Sequence, residues 1–263
     1  MLKVNYVVPS WGRAKTITTL GLLSKARALV SEDQVEDYKK CTGLGDDRFI
    51  VCPREYQGHG KGIAQNWMLD NCWEGYDAVL SIDDDITRFR FHDKVDGENT
   101  EGTTLTEQQV YDYLENACEV AYEWGCGMFG ISINHDPMVY DEFKPFRTLA
   151  YIDGGVVGFV RDDGLRYDTE LTVKEDVDYF LQSVARYHKA LRFEKLFVNK
   201  GAFTNEGGCQ DIRTDALEQR QFKMMQKKWG SNVIRPNAPT AKKGSKIRGA
   251  GGAIKLRIPI DGV

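Results

Sequence analysis

Short apolar runs alternate with stretches of helical spacing through the first third of the chain. The run Val4-Asn5-Tyr6-Val7-Val8 reads as a strand stopped by Pro9. Ser10-Trp11-Gly12-Arg13 forms the turn, and apolar residues at Ile17, Leu20, Leu23 and Leu29 predict a helix over residues 16–29. Residues 48–53 are expected as the second strand and residues 76–82 as the third. Between them Gly60-Lys61-Gly62 opens a helix over about 63–72, with Ile63, Trp67, Met68 and Leu69 giving it a buried side. Further on, residues 93–104 are polar and glycine-containing, which predicts a mobile loop. Thr106 followed three residues later by Gln109 is a capping-box arrangement, so a helix is expected over 106–124. Strands are expected over 128–133 and over 191–198, and the glycines within 149–159 are expected to let a backbone approach something closely. Helices are expected from 173 to about 188 and over 213–229, with a loop at 201–208. No internal repeat is visible.

Strands alternating with helices imply βαβ units and a largely parallel sheet, hence the α/β class. In such sheets ligands bind beyond the carboxyl ends of the strands. Those ends carry Ser10 and Arg13, then Arg54 and Glu55, then Asp83, Asp84 and Asp85. The three loops are therefore expected to line one crevice.

The third of these ends carries the densest chemistry. In Ser81-Ile82-Asp83-Asp84-Asp85-Ile86, three consecutive carboxylates follow an apolar run. Beside a core they repel one another unless a cation sits among them. Hard oxygen ligands of this type suit Mg²⁺ or Mn²⁺ bridging to a substrate's phosphates. A solvated turn is the competing reading, because Asp is a good turn residue. A second acidic group, Glu175-Asp176-Val177-Asp178, opens a helix, where carboxylates complement the helix dipole.

At 263 residues the chain can bury one substantial core, expected over residues 1–230, with an extension over 231–263. The net charge of -4 hides an asymmetry: residues 219–260 contain no Asp or Glu but carry Lys and Arg from Arg220 to Arg257. A basic end on an acidic chain suits a polyanionic partner or a solvated tail. The six cysteines are dispersed without a Cys-x-x-Cys pair, so free, mostly buried thiols are expected. No apolar stretch is long enough to span a membrane, and the opening residues do not read as a signal peptide, so a cytoplasmic location is expected.

Taken in order, the motifs resemble those of nucleotide-diphospho-sugar glycosyltransferases of the GT-A fold over roughly residues 4–180. They are Pro9-Ser10-Trp11-Gly12-Arg13, Gly60-Lys61-Gly62-Ile63-Ala64-Gln65-Asn66, Asp83-Asp84-Asp85, Gly154-Gly155 and Glu175-Asp176. Within that fold the chain resembles the TET-associated glycosyltransferases of bacteriophages, also through Gly207-Gly208, Arg213, Asp215 and Trp229-Gly230. The resemblance implies transfer of a sugar from a UDP-sugar to the hydroxyl of 5-hydroxymethylcytosine in phage DNA. It implies Mn²⁺ or Mg²⁺ on Asp85 and Asp83, and donor contacts from Pro9, Ser10, Arg13, Glu55, Lys61, Asn66, Asp83, Asp84, Gly154 and Gly155. Asp84 is expected to point away from Asp83 and Asp85, because side chains alternate along extended backbone. Asp176, with Glu175 second, is the implied general base of an inverting reaction. Gly154-Gly155 forms either the acceptor's floor or a plain turn. Asn205, Gly207 and Gly208 could close over the diphosphate, and His188 is expected to be a partly buried structural residue rather than a third metal ligand. Two other readings stay open: a GT-A transferase for a saccharide, lipid or protein acceptor, and a catalytically silent GT-A domain that binds DNA.

Overall fold

The computed structural model describes residues 2–95, 98–99, 102–132, 134, 136, 138, 140–153, 155–201, 214–236 and 254–258. Among these the strands are β1 (Val4–Pro9), β2 (Arg27–Ser31), β3 (Phe49–Cys52), β4 (Ala78–Ile82), β5 (Ile86–Phe91), β6 (Lys94–Val95), β7 (Glu98–Asn99), β8 (Thr103–Thr104), β9 (Met128–Ser132), β10 (Phe146–Arg147), β11 (Val156–Phe159), β12 (Leu191–Lys200), β13 (Ile234–Pro236) and β14 (Ile254–Leu256). The α-helices are α1 (Thr19–Leu22), α2 (Val35–Thr42), α3 (Lys61–Asn71), α4 (Glu107–Glu123), α5 (Glu175–Tyr187) and α6 (Asp215–Trp229).

A mixed, mostly parallel central sheet runs in the order β3-β2-β1-β4-β11-β9-β12-β5-β8, with β10 also paired to β12. Strands β3, β2, β1 and β4 are parallel, and β11 inserts antiparallel between β4 and β9. Strand β12 runs parallel to β9 before pairing antiparallel with β5. Alternation along the central strands feeds two cores. Tyr6 and Val8 face one side with Ala28, Val30, Leu80, Ile82 and the α4 residues Leu114 and Ala117. Val7 faces the other with Leu29, Val79, Met68 of α3, Phe180 and Val184 of α5, and Met225 of α6. The sheet is thus buried on both faces, as parallel strands require. Full burial of a residue such as Leu29 or Phe180 stabilises by roughly 1.5–3 kcal/mol.

Several expectations hold, and others are corrected. The capping box of α4 forms as expected between Thr106 and Gln109. The helix expected over 16–29 does not form: one turn is helical, Leu23 is extended, and β2 begins at Arg27. Ala28-Leu29-Val30 is a short buried run, and in such a run periodicity cannot separate strand from helix. Phe49–Cys52 is consequently the third strand in the chain. Helix α2, missed from sequence, ends at Gly43 with φ 70, a left-handed conformation that glycine adopts freely. Strand β5, also missed, continues directly from the acidic triad, and the segment expected as a loop over 93–104 contributes β6, β7 and β8. His188 is exposed rather than partly buried; it caps α5 in the left-handed region with φ 60. Cys52, Cys72, Cys118 and Cys126 are buried free thiols as expected, and Cys41 is an exposed one. No helix among the described residues is long and apolar enough to cross a membrane. In the basic C-terminal segment, β13 pairs antiparallel with β14. Lys242, Lys243, Lys246 and Arg248 lie outside the described residues, as do Gly154, Asn205, Gly207, Gly208, Cys209 and Arg213.

Asp178 fastens α6 to α5. Its fully buried carboxylate accepts from Lys228 Nζ at 2.9 Å, Trp229 Nε1 at 2.7 Å and Gln182 Nε2 at 2.7 Å. Asp178→Ala removes the shared acceptor of all three hydrogen bonds at once. It is expected to cost roughly 1.5–3 kcal/mol, the range for hydrogen bonds to a charged group, read as a lower urea midpoint at unchanged m-value.

Candidate active site

The carboxyl ends of β1, β2, β3 and β4 lie along one edge of the sheet, and the acidic triad sits where the chain turns from β4 into β5. Its backbone is held from several sides. Asp83 N–H donates to the Gly155 carbonyl at 3.0 Å, and Thr19 Oγ1 donates to the Asp83 carbonyl at 2.6 Å. The Asp84 carbonyl accepts from Thr18 N at 2.9 Å, and the Asp85 carbonyl accepts from Gly201 N at 2.7 Å. The turn is therefore fixed before any side-chain charge is counted.

The three side chains diverge. Asp84 is buried and points toward the β1 loop, as the expected alternation requires; Ser10 Oγ donates to it at 2.6 Å and Arg13 Nη1 at 2.7 Å. Tyr38 of α2 holds that loop by hydrogen bonds to Ser10 Oγ at 2.7 Å and from Arg13 N at 3.0 Å. Asp84 therefore acts through the loop, and both its oxygens are occupied.

Asp83 lies between two ammonium groups, Lys61 Nζ at 2.5 Å from the start of α3 and Lys200 Nζ at 2.8 Å from the end of β12. Burial alone would raise its pKa, but Lys61 and Lys200 reverse that and hold it at about 2, below the ordinary 3.8. A depressed carboxylate stabilises the fold above its unfolded pKa. The contribution, roughly 2 kcal/mol, is present above pH ~4 and is lost as pH falls toward the folded value.

Asp85 stands apart. Its Oδ1 is buried and has no hydrogen-bond partner among the described residues, while Oδ2 lies 3.6 Å from Arg13 Nη1. Burial raises its pKa first, and the charges of Asp83 and Asp84 add to the rise. A buried anionic oxygen without a donor is what a divalent cation satisfies. The donor set fits Mg²⁺ or Mn²⁺ held by one carboxylate, with waters and substrate phosphates completing the shell. It does not fit a closed cage: among the described residues no cluster of three or more His, Cys, Asp or Glu side chains is arranged for a metal. Of the two expected ligands, Asp85 has the free oxygen, whereas both Asp83 oxygens are engaged by lysines.

Asp176 lies in the first turn of α5. Its Oδ1 accepts from Val177 N at 2.8 Å, and its Oδ2 accepts a short hydrogen bond from the Tyr151 hydroxyl. Burial raises its pKa, and that outweighs the lowering by Tyr151, by the Val177 amide and by the positive charge of Lys61. Lys61 thus acts on both acids, by direct contact at Asp83 and through its charge at Asp176. Glu175 is buried, and its Cβ lies 3.5 Å from where a side chain on Gly62 would begin. Glycine at 62 therefore lets α3 pack closely against the start of α5.

The other expected residues divide. Asn66 is spent structurally: its amide donates to the Tyr167 carbonyl at 2.9 Å and accepts from Tyr167 N at 2.7 Å. Glu55 is exposed on a short turn after β3, while Arg54 beside it stacks over Trp11 at 4.2 Å and pairs with Asp33 at 3.0 Å. Pro9 ends β1 and delivers Ser10. At Gly155, an added Cβ would meet Lys200 Cε and Nζ at 3.2 Å. The glycine leaves the passage through which Lys200 reaches Asp83. Two residues of the site escaped sequence reading. Lys200 ends a strand whose register no local pattern fixes, and Tyr151 meets Asp176 only through tertiary packing.

The family model described as TET-Associated Glycosyltransferase matches residues 4–208. A comparison with curated proteins finds no match. Among solved structures, the chain is similar to Staphylococcus aureus TarS residues 1–349 in complex with UDP, at 15% identity and TM-score 0.46, covering 85% of this chain and 65% of that one. It is also similar to Mycobacterium tuberculosis glucosyl-3-phosphoglycerate synthase with Mn²⁺, UDP and glucosyl-3-phosphoglycerate, at 12% identity and TM-score 0.45, covering 86% of this chain and 79% of that one. The chain thus spans slightly less than two thirds of the TarS fragment.

Replacing one ammonium should release Asp83 from its depressed titration. In Lys200→Met, carboxyl-resolved NMR is expected to show the Asp83 pKa climbing from about 2 toward or above the ordinary 3.8, since burial then meets only Lys61. An unchanged titration would show that Lys61 alone sets it.

Proposed function

Because the chain belongs to the TET-associated glycosyltransferase family, we propose that it transfers a sugar from a nucleotide-diphospho-sugar, UDP-sugar in the first instance, to the hydroxyl of 5-hydroxymethylcytosine in DNA. The observation that carries the reading is that two acidic stations share Lys61: the triad at the end of β4, bonded to it through Asp83, and Asp176 at the start of α5, which feels its charge. A leaving diphosphate needs concentrated positive charge, and an attacking hydroxyl needs a base. Lys61, Lys200 and Arg13 beside the triad suit the first need, and Asp176 suits the second.

The steps follow from the groups present. Asp176 Oδ takes the proton of the acceptor hydroxyl as its oxygen attacks the anomeric carbon. The bond from that carbon to the diphosphate oxygen breaks, and its electron pair leaves with the nucleoside diphosphate. A base opposite the leaving group gives inversion at the anomeric carbon. Positioned proton removal of this kind contributes roughly 10²–10⁴-fold. Tyr151 orients the carboxylate, and its own pKa is pushed well up, by burial first and then by Asp176, so it remains a donor. Lys61, Lys200 and Arg13 supply the positive field at the leaving group. A divalent ion on Asp85, when bound, adds Lewis-acid neutralisation of the departing diphosphate. Asp83 contributes by holding Lys61 and Lys200 in place until the donor's phosphates compete for them.

The DNA acceptor rests on the family and on the basic C-terminal third. The hydroxymethyl group on carbon five of cytosine projects into the major groove, so the acceptor is reached there or by flipping the base. The deciding experiment is mass spectrometry of nucleosides from hydroxymethylcytosine DNA incubated with the protein, Mn²⁺ and a panel of nucleotide-sugars. A hexosylated hydroxymethylcytosine is expected. Sugar appearing only on a saccharide or protein acceptor, or no donor turnover, refutes the reading.

Two variants test the roles. Asp176→Asn should keep donor affinity while transfer falls by roughly 10²–10⁴-fold. Tyr151→Phe removes a hydrogen bond that lowers the Asp176 pKa, so that pKa rises further. Because the base works only when deprotonated, the acid limb of the pH–rate profile should move to higher pH. An acid limb that stays in place in Tyr151→Phe argues against Asp176 as the base.

A further inference from the structure

Helix α6 has an unusual division of charge. Its inward side is polar but satisfied: Glu218 is buried against Lys174, and Gln221 donates to Thr172 Oγ1 at 2.9 Å and accepts from Val173 N at 2.9 Å. Lys228 is spent on Asp168 at 2.7 Å and Asp178 at 2.9 Å. The outward side carries Arg220, Lys223 and Lys227, all exposed and none ion-paired among the described residues. After Asp215 in the first turn, no exposed residue of the helix is acidic. Near the Lys227 end, Asp168 and Glu170 lie across a shallow depression, and Asp168 is the one already neutralised by Lys228.

Spacing at i, i+3 and i+7 puts the three cations in one stripe, because those positions share a helix face. At 1.5 Å per residue the stripe is about 10 Å long. One DNA strand presents a phosphate every ~3.4 Å along the axis, so this length spans about three phosphate steps. The placement matters as much as the charge. The opposite face of α6 touches Thr172, Val173 and Lys174, the residues that lead into Glu175 and Asp176. Thr172 also packs on Gly60 at the mouth of α3. The stripe therefore lies about one helix diameter, ~10–12 Å, from the segment that delivers the base.

We propose that the Arg220–Lys223–Lys227 face of α6 is a phosphate track that holds the acceptor's DNA backbone beside the crevice. This rests on the proposed DNA acceptor and gives it a location. The net charge of -4 excludes general basicity as the origin of the stripe. Contacts to phosphates set position without reading sequence, so the track serves any duplex and leaves selection to the modified base.

The test is a charge-neutral triple variant, Arg220→Gln with Lys223→Gln and Lys227→Gln, in the full chain. Binding of an unmodified duplex is followed by fluorescence anisotropy across 50–200 mM salt, alongside donor hydrolysis and thermal melting. Each lost phosphate contact lowers the salt slope by roughly 0.9, so the slope should fall by about 2–3. The affinity ratio across that salt range should then shrink by about 40-fold. Melting and donor hydrolysis should stay as in wild type, because none of the three side chains touches the crevice or the core. A wild-type slope in the variant, with wild-type protein still modifying hydroxymethylated DNA, overturns the track alone. Wild-type protein that binds no DNA overturns the acceptor reading with it. A drop in slope seen equally on polyglutamate, with no preference for DNA, refutes the track as a nucleic-acid surface.

Discussion

Three carboxylates in sequence at the end of a buried strand are a liability that the surrounding structure must resolve. Brought together without counter-charge they would repel one another beside a core that cannot solvate them. The chain resolves this by sending Asp83 and Asp84 to different elements, with Asp85 left 3.6 Å from the guanidinium that Asp84 already holds. Asp84 goes to the β1 loop through Ser10 and Arg13, and Asp83 goes to the ammonium groups that begin α3 and end β12. Only Asp85 keeps a buried oxygen unmatched among the described residues. Four separate pieces of chain, the β1 loop, the α3 start, the β11 start and the β12 end, are thereby tied to one turn. The same ties gather the crevice's positive charge at one place. The site and the junction of these elements are one construction.

Close backbone approach is what makes that gathering possible. Lys200 passes close over Gly155 to reach Asp83, with Lys200 atoms 3.2 Å from where a Cβ would stand. Gly62 does the same for α3 and α5, admitting Tyr167 and Glu175 at 3.3 and 3.5 Å. Both glycines belong to motifs that sequence reading assigned to donor or acceptor contact. Their visible role is packing: they bring charged side chains from distant segments into reach.

Much of the fold was legible because its signals are local. The capping box of α4, the Pro9 stop and the glycine-opened α3 each depend on neighbours within a few residues. The failure over 16–29 is equally physical. Ile17, Leu20, Leu23 and Leu29 are spaced like a helix face, yet Leu29 is central to a five-residue strand buried on both sides, where apolar content carries no period. The candidate site was legible where residues follow strand ends, as with Ser10, Arg13 and the triad. It was opaque where long-range register decides. Lys200 is 117 residues from Asp83, and Tyr151 is 25 from Asp176. Asn66 shows the reverse error, since a polar side chain on a motif helix proved to be a clamp on the Tyr167 backbone.

The contrast between Asp83 and Asp176 gives the crevice a direction. Both are partly buried, and for both burial alone raises the pKa. Lys61 and Lys200 overturn that effect at Asp83, whereas at Asp176 burial prevails over Lys61 and the Tyr151 hydroxyl. One carboxylate is thereby locked in the charged form, and the other keeps an appetite for a proton. A reaction that moves negative charge toward a leaving group and a proton away from a nucleophile needs this asymmetry, because a base held at about 2 would be too weak to accept the proton. Net shifts in opposite directions on two acids that both feel Lys61 suit the roles proposed above, in which Asp83 organises charge and Asp176 exchanges the proton.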